Sequence, residues 1–345
     1  MIVDMHTHLW QTPEQLGPQI SAQLRRRFAE RYEMLDAGPA MHEQAMEPVD
    51  VAVVLGFRSR YLGADVPNAY LAECVSRRGG KLLGFAGVDP VDADCLSQVR
   101  DWVSMGFSGL TISPAGQDYH PSDTRAMKLY ELAQKMGLPV LLHQGTHFTR
   151  DSKMEYARPF LFDEIARTFP QLKLILAHCG HPWIDETLTL IGKHRNVWAE
   201  LGNVIARPWQ LYNVLLQAHQ LEVTDRLLFG SDFPYNSPAQ AISTMYSLHR
   251  FVVGTGLPTV PREVVRQIVE REVLTELGIS PQGIANAPAP APGINPAPSS
   301  HETRNSKPET PPPAPGSKTA SAKPQAAPAS APGSGNIHKL KETQE

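Results

Sequence analysis

Short apolar runs recur along most of this chain, and segments with helical spacing separate them. The runs are rich in β-branched residues and lie at 2–9 (IVDMHTHL), 49–57 (VDVAVVLGF), 81–90 (KLLGFAGVDP), 106–114 (GFSGLTISP), 138–146 (LPVLLHQGT), 172–180 (LKLILAHCG), 196–203 (NVWAELGN) and 226–234 (RLLFGSDFP). Each has the length and composition of a buried strand. Between them lie stretches such as SDTRAMKLYELAQKMG, for which a Ser122 cap and a Gly137 stop are expected, RPFLFDEIARTFP and WIDETLTLIGKHR. Strand and helix alternating eight times in about 280 residues predict a parallel sheet closed into a (β/α)8 barrel of the TIM type. An open doubly wound sheet is the alternative. It usually carries a G-x-G-x-x-G turn after the first strand, and this chain has none there.

The pattern stops near Pro281. Residues 281–345 contain no Phe, Tyr or Trp and hold 14 of the chain's 31 prolines. Such a segment cannot bury enough apolar surface to offset chain entropy. Residues 1–280 are therefore expected to form the barrel, and residues 281–345 a disordered Pro/Ala/Ser-rich tail. Residues 11–48 form a long insert between the first two strands. Its PQISAQLRRRFAERYEML stretch puts Ile20, Leu24, Phe28 and Tyr32 on one helical face. The insert enters over the barrel mouth, as a lid or a dimer contact, and its Arg25–Arg27 run reads as a solvated face.

Net charge is -3, so nothing suggests a nucleic-acid partner. No apolar run reaches the ~18 residues that would span a membrane. The start lacks the basic and apolar regions of a signal peptide. Three scattered cysteines, Cys74, Cys95 and Cys179, read as reduced thiols. The expectation is a cytoplasmic protein acting on a small molecule, with a homo-oligomer left open.

In a barrel of this kind, chemistry sits at the C-terminal ends of the strands. Polar, metal-capable residues stand there: His6 and His8 on strand 1, His143 on strand 5, His178 on strand 6 and Asp232 on strand 8. Alternation points His6, His8 and Asp4 to one side. A lone histidine is more often structural, but this set converges on one barrel end. Zinc sites of the catalytic kind use about three protein ligands and keep a position open.

DMHTH, GFSGLTISP, LLHQGTH, LAHCGHPWIDE and LLFGSDFPY, in that order, resemble the amidohydrolase superfamily. The resemblance is nearest to the amidohydrolase-2 branch, which includes the aminocarboxymuconate semialdehyde decarboxylase-like enzymes, and it covers about residues 1–280. It implies a distorted barrel with a metal at its mouth. It also implies His6, His8, His143 and Asp232 as ligands, Asp232 as general base, and His178 as a catalytic group or second ligand. Binuclear members carry a carboxylated lysine, often on strand 4. GLTISP has Thr111 and no lysine, which implies one divalent metal, taken as zinc. The helix after strand 8 lacks the branch's usual NA-x-x-L ending. The implied activity is hydrolysis, with metal-activated water attacking a C–N or C–O bond. Non-oxidative decarboxylation of an unsaturated or aromatic acid is the alternative, and a barrel reused as a binding module is a third. Arg58 and Arg60 follow strand 2 and would suit a carboxylate substrate. Glu200 would support a ligand histidine. His147 and His181 are further candidate contacts, His181 more as a helix cap, with Trp183 and Asp185 packing and capping there.

Overall fold

The computed structural model describes residues 1–29, 35–143 and 148–280. The chain divides into two units, Met1–Pro292 and Gly293–Glu345. The expected tail at 281–345, Tyr32 and His147 lie outside the described residues.

Eight strands form one parallel sheet: β1 (Val3–Thr7), β2 (Val51–Leu55), β3 (Leu82–Gly87), β4 (Gly109–Ile112), β5 (Val140–Leu142), β6 (Leu174–Leu176), β7 (Val197–Glu200) and β8 (Leu227–Leu228). They pair in sequence order. The first strand meets the last through Met5 N–H to the Phe229 carbonyl at 3.0 Å, Asp232 N–H to the His6 carbonyl at 2.9 Å, and a parallel bridge between Thr7 and Phe233. The barrel is thus nearly closed, as the alternation of elements predicts.

Alternation along the strands sorts their side chains into two apolar layers. Val3, Met5, Val53, Leu55, Leu83, Phe85, Leu141, Ile175 and Trp198 form the inner layer. Ala52, Val54, Leu110, Ile112, Val140, Leu174 and Val197 face the helices. Val273, Leu274, Leu277 and Ile279, from the stretch after the last helix, join the inner layer. The departure from the expected ending therefore marks a segment packed against the barrel interior.

Register shifts between Asp4 and Thr7, so Asp4 pairs with Ala52 and Thr7 with Val54. This bulge reverses the alternation within β1. Asp4 belongs to the phase before the bulge, which corrects the expectation that it follows His6 and His8. Thr7 turns outward instead, where its hydroxyl donates to the Val53 carbonyl at 2.8 Å and accepts from His42 at 3.0 Å.

The helix at Thr124–Met136 ends on Gly137 as expected, in the left-handed conformation (φ 69°) that an αL cap requires. Its cap is Asp123, whose side chain accepts from Arg125 N–H, and not Ser122. Ser122 bonds His120 instead.

Two outcomes test this packing. Phe85→Ala should cost about 3–5 kcal/mol in urea unfolding, because Phe85 is fully buried. Phe160→Ala, at a residue 68% exposed, should change stability by no more than about 0.5 kcal/mol. Burial, with help from Arg78 and His8, holds His42 down to about 3. The unfolded chain takes up that proton near the ordinary 6.5, so this contribution is complete above about 6.5 and is lost as pH falls below it. Between pH 7 and pH 5 the parent should lose about 2 kcal/mol more than His42→Phe, measured by urea midpoints.

Candidate active site

His6 and His8 point into the barrel mouth from β1, with their Nε2 atoms 3.1 Å apart. His143 follows β5 by one residue, and its ring lies 5.1 Å from that of His6. His178 and Asp232 lie beyond their strands, and not on the strand ends that the sequence suggested. β6 stops at Leu176 and β8 at Leu228. Each chain then turns through the left-handed region, at φ 55° for His178 and φ 64° for Asp232. Side chains of these types tolerate that conformation better than most, and such strain is characteristic of functional sites.

The five side chains converge. His6, His8 and His143 bring ring nitrogens within 4.8 Å of one another, as do His6, His178 and Asp232 with their nitrogens and carboxylate oxygen. Asp232 Oδ1 lies 3.6 Å from Nε2 of both His6 and His8.

Glu200, at the end of β7, organises the floor. Its Oε1 accepts from His6 Nδ1 at 2.9 Å and from the His178 main-chain N–H at 2.5 Å, and its Oε2 accepts from Gly202 N–H at 2.6 Å. Room for this carboxylate comes from missing side chains. A Cβ on Gly202 or Gly230 would sit 2.7 or 2.6 Å from Glu200 Oε2.

Electrostatics follow from burial and these contacts. Burial alone would raise Glu200, but the His6 partner holds it below the ordinary carboxylate range. Burial likewise pulls His6 down, and Glu200 outweighs it, so His6 is raised. Burial lowers His8, drives His143 well below the ordinary range together with the neighbouring imidazoles, and takes His178 down to about 4. Asp232 is buried too, yet His178, His8 and His6 keep its carboxyl well below the usual range.

These residues fit a divalent metal. His6 donates its Nδ1 proton to Glu200, so its Nε2 presents a lone pair. His8 Nε2 lies 3.1 Å from that atom, within reach of the same ion. Imidazoles plus one ionised carboxylate are the donors that zinc and related metals take.

A cavity of about 570 Å³ opens above the cluster. Its floor includes His8, His143, His178 and Asp232, and its walls include Trp10, Phe57, Phe148 and Tyr235. The insert helix Pro18–Phe28 supplies Ile20, Leu24, Arg26 and Arg27. The basic run is thus partly a cavity wall and not only a solvated face.

Other sequence candidates fall elsewhere. Arg58 pairs with Asp92 at 3.0 Å in a separate depression that also takes in Arg60, so neither lines the cavity. His181 lies beside Gln210 at 3.3 Å, outside the cavity. Trp183 occupies the cap position of the helix Ile184–Lys193 without a side-chain cap bond, and Asp185 stands in the first turn. Asn203 was not singled out by the sequence. It lies three residues past Glu200, and its amide donates to Asp232 Oδ2 at 2.9 Å. The strand-end rule applied to β7 would have found it.

Comparison with known proteins agrees with this architecture. The amidohydrolase family model matches residues 3–270, and the chain belongs to that family, whose members are metal-dependent hydrolases and decarboxylases acting on small molecules. No curated relative matches the sequence. A TIM-barrel protein of Bordetella bronchiseptica is similar, with TM-score 0.62, 18% identity, and coverage of 80% of this chain and 99% of that one. A dihydroxybenzoic acid decarboxylase of Polaromonas sp., solved with manganese and 2-nitroresorcinol, has TM-score 0.58, 15% identity, and coverage of 80% and 96%. A protein of Acinetobacter baumannii described as a probable 2-pyrone-4,6-dicarboxylic acid hydrolase has TM-score 0.54, 14% identity, and coverage of 81% and 99%. These structural likenesses establish the fold. Among the described residues, no helix is long and apolar enough to cross a membrane.

Replacing Glu200 tests the floor. Glu200→Leu strips three buried donors of their acceptor and should cost about 3–5 kcal/mol in urea unfolding.

Proposed function

We propose that the protein is a metal-dependent hydrolase that opens a C–N or C–O bond of a small molecule, such as a cyclic amide or lactone. In this reading His6, His8, His143 and Asp232 hold one zinc ion, and residues 1–280 carry the whole machinery. The observation that supports it is the position of Asp232. One oxygen lies 3.6 Å from both His6 and His8 Nε2, while the other is held by Asn203. A carboxylate fixed beside the ligand nitrogens can take a proton from water attacking a substrate in the cavity. When bound, the ion lowers the pKa of water and polarises a carbonyl oxygen. Asp232 accepts the proton released by the attack and returns it to the leaving group. His178, neutral at pH 7, donates a hydrogen bond to the developing oxyanion. The imidazole-rich donor set favours zinc over magnesium or calcium, which prefer oxygen ligands. The buried free thiols of Cys74, Cys95 and Cys179 suit the reducing cytoplasm.

Decarboxylation of an aromatic acid is the second reading. The aromatic walls, with Arg26 and Arg27 beside them, suit a flat anionic substrate. The decarboxylase among the structural neighbours supports the same view.

Isotope and gas analysis separate the two. Lactones, amides and aromatic acids are incubated with the protein in ¹⁸O-water. Hydrolysis places ¹⁸O in the product acid, whereas decarboxylation releases carbon dioxide. Asp232→Asn should lower turnover by about 10²-fold or more, the scale of general acid–base contributions, and near-normal turnover would refute the role. Elemental analysis should find one zinc per chain, and two metals per chain would contradict the mononuclear assignment.

A further inference from the structure

One residue touches both groups that stand on left-handed turns, His178 and Asp232. Asn203 sits in the short helical turn Gly202–Ile205 after β7 and is buried. Its main-chain N–H donates to His178 Nδ1 at 3.2 Å. Its side-chain Nδ2 donates to Asp232 Oδ2 at 2.9 Å.

We propose that Asn203 is a positioning residue that assigns separate roles to His178 and Asp232. The inference rests on the metal-site reading above and extends it. A neutral imidazole has one N–H. An Nδ1 that accepts from Asn203 leaves that proton on Nε2. A protonated Nε2 cannot bind a cation, so His178 is a hydrogen-bond donor and not a ligand. His6 is the opposite case, because its Nδ1–H donates to Glu200 and leaves the lone pair on Nε2. The two rings, 4.6 Å apart, therefore carry opposite tautomers. The Asn203 amide meanwhile occupies Asp232 Oδ2 and turns Oδ1 toward His6 and His8. One residue keeps the base and the donor on the two sides of a common reaction centre. The competing arrangement puts the His178 proton on Nδ1, facing Glu200 Oε1 at 3.5 Å.

Nitrogen-15 NMR on the full chain labelled at histidine decides the tautomer. His178→Gln identifies the His178 signals by their loss. The expected spectrum shows His178 protonated at Nε2 with an acceptor Nδ1, in zinc-free and zinc-loaded protein alike. It should be retained in Asn203→Ala, since the donor is main chain. A proton on Nδ1 overturns the His178 assignment. The Asp232 assignment is read from zinc(II) affinity, by competition against a chromogenic chelator. Asn203→Ala and the volume-conserving Asn203→Leu should bind zinc about 10-fold or more weakly, the scale of partners that orient ligands, while the zinc-free chains keep the parent's circular dichroism and melting temperature. Affinity within twofold of the parent, or a loss matched by melting of the zinc-free variants, overturns it. A parent chain that binds no zinc refutes the functional reading and the Asp232 assignment that rests on it, and the NMR result still decides the His178 assignment.

Discussion

Glu200 is a carboxylate with no exposed surface at the mouth of a barrel. Burying that charge is costly unless hydrogen bonds and an opposite charge replace its water. Here one imidazole and two main-chain amides do so. Each of these bonds also constrains something functional. The His6 bond fixes a tautomer. The His178 bond pins the left-handed turn after β6. The Gly202 bond starts the short helical turn that carries Asn203. The need to satisfy one buried charge thus sets the geometry of three segments from different parts of the chain.

The same logic explains the two glycines beside it. Gly202 and Gly230 approach Glu200 Oε2 so closely that a methyl group would displace the carboxylate. Without side chains at these positions, the turn after β7 and the loop after β8 can lie directly against the carboxylate. Strain at His178 and Asp232 is held by this closure, because both residues are fixed by hydrogen bonds on either side of their turns. The β1 strand therefore presents the His6 and His8 imidazoles, and strained loops present His178 and Asp232.

Above this floor the cavity is mostly apolar. Aromatic side chains from the β1 and β8 ends stack around it, with Tyr235 against Trp10 and Phe28. An apolar lining lowers the local dielectric and strengthens electrostatic interactions made against it. The insert helix completes one wall, so the segment between the first two strands shapes the cavity.

Much of the barrel was legible in the sequence, because strand period and helix period are local properties read from neighbouring residues. His6, His8, His143, His178 and Asp232 were legible as a set, since in a parallel barrel every strand ends at the same face. What the sequence could not hold were relations across distance. The bulge that turns His6 and His8 inward while leaving Asp4 behind depends on the register between β1 and β2. The exchange of Arg58 and Arg60 for Arg26 and Arg27 at the cavity depends on how the loop after β2 folds onto Asp92 and how the insert helix leans over the mouth. The partners that choose a tautomer, Glu200 for His6 and Asn203 for His178, stand 194 and 25 residues away along the chain. A proton's location on an imidazole is settled by its nearest polar neighbours, and only the tertiary structure brings those neighbours together.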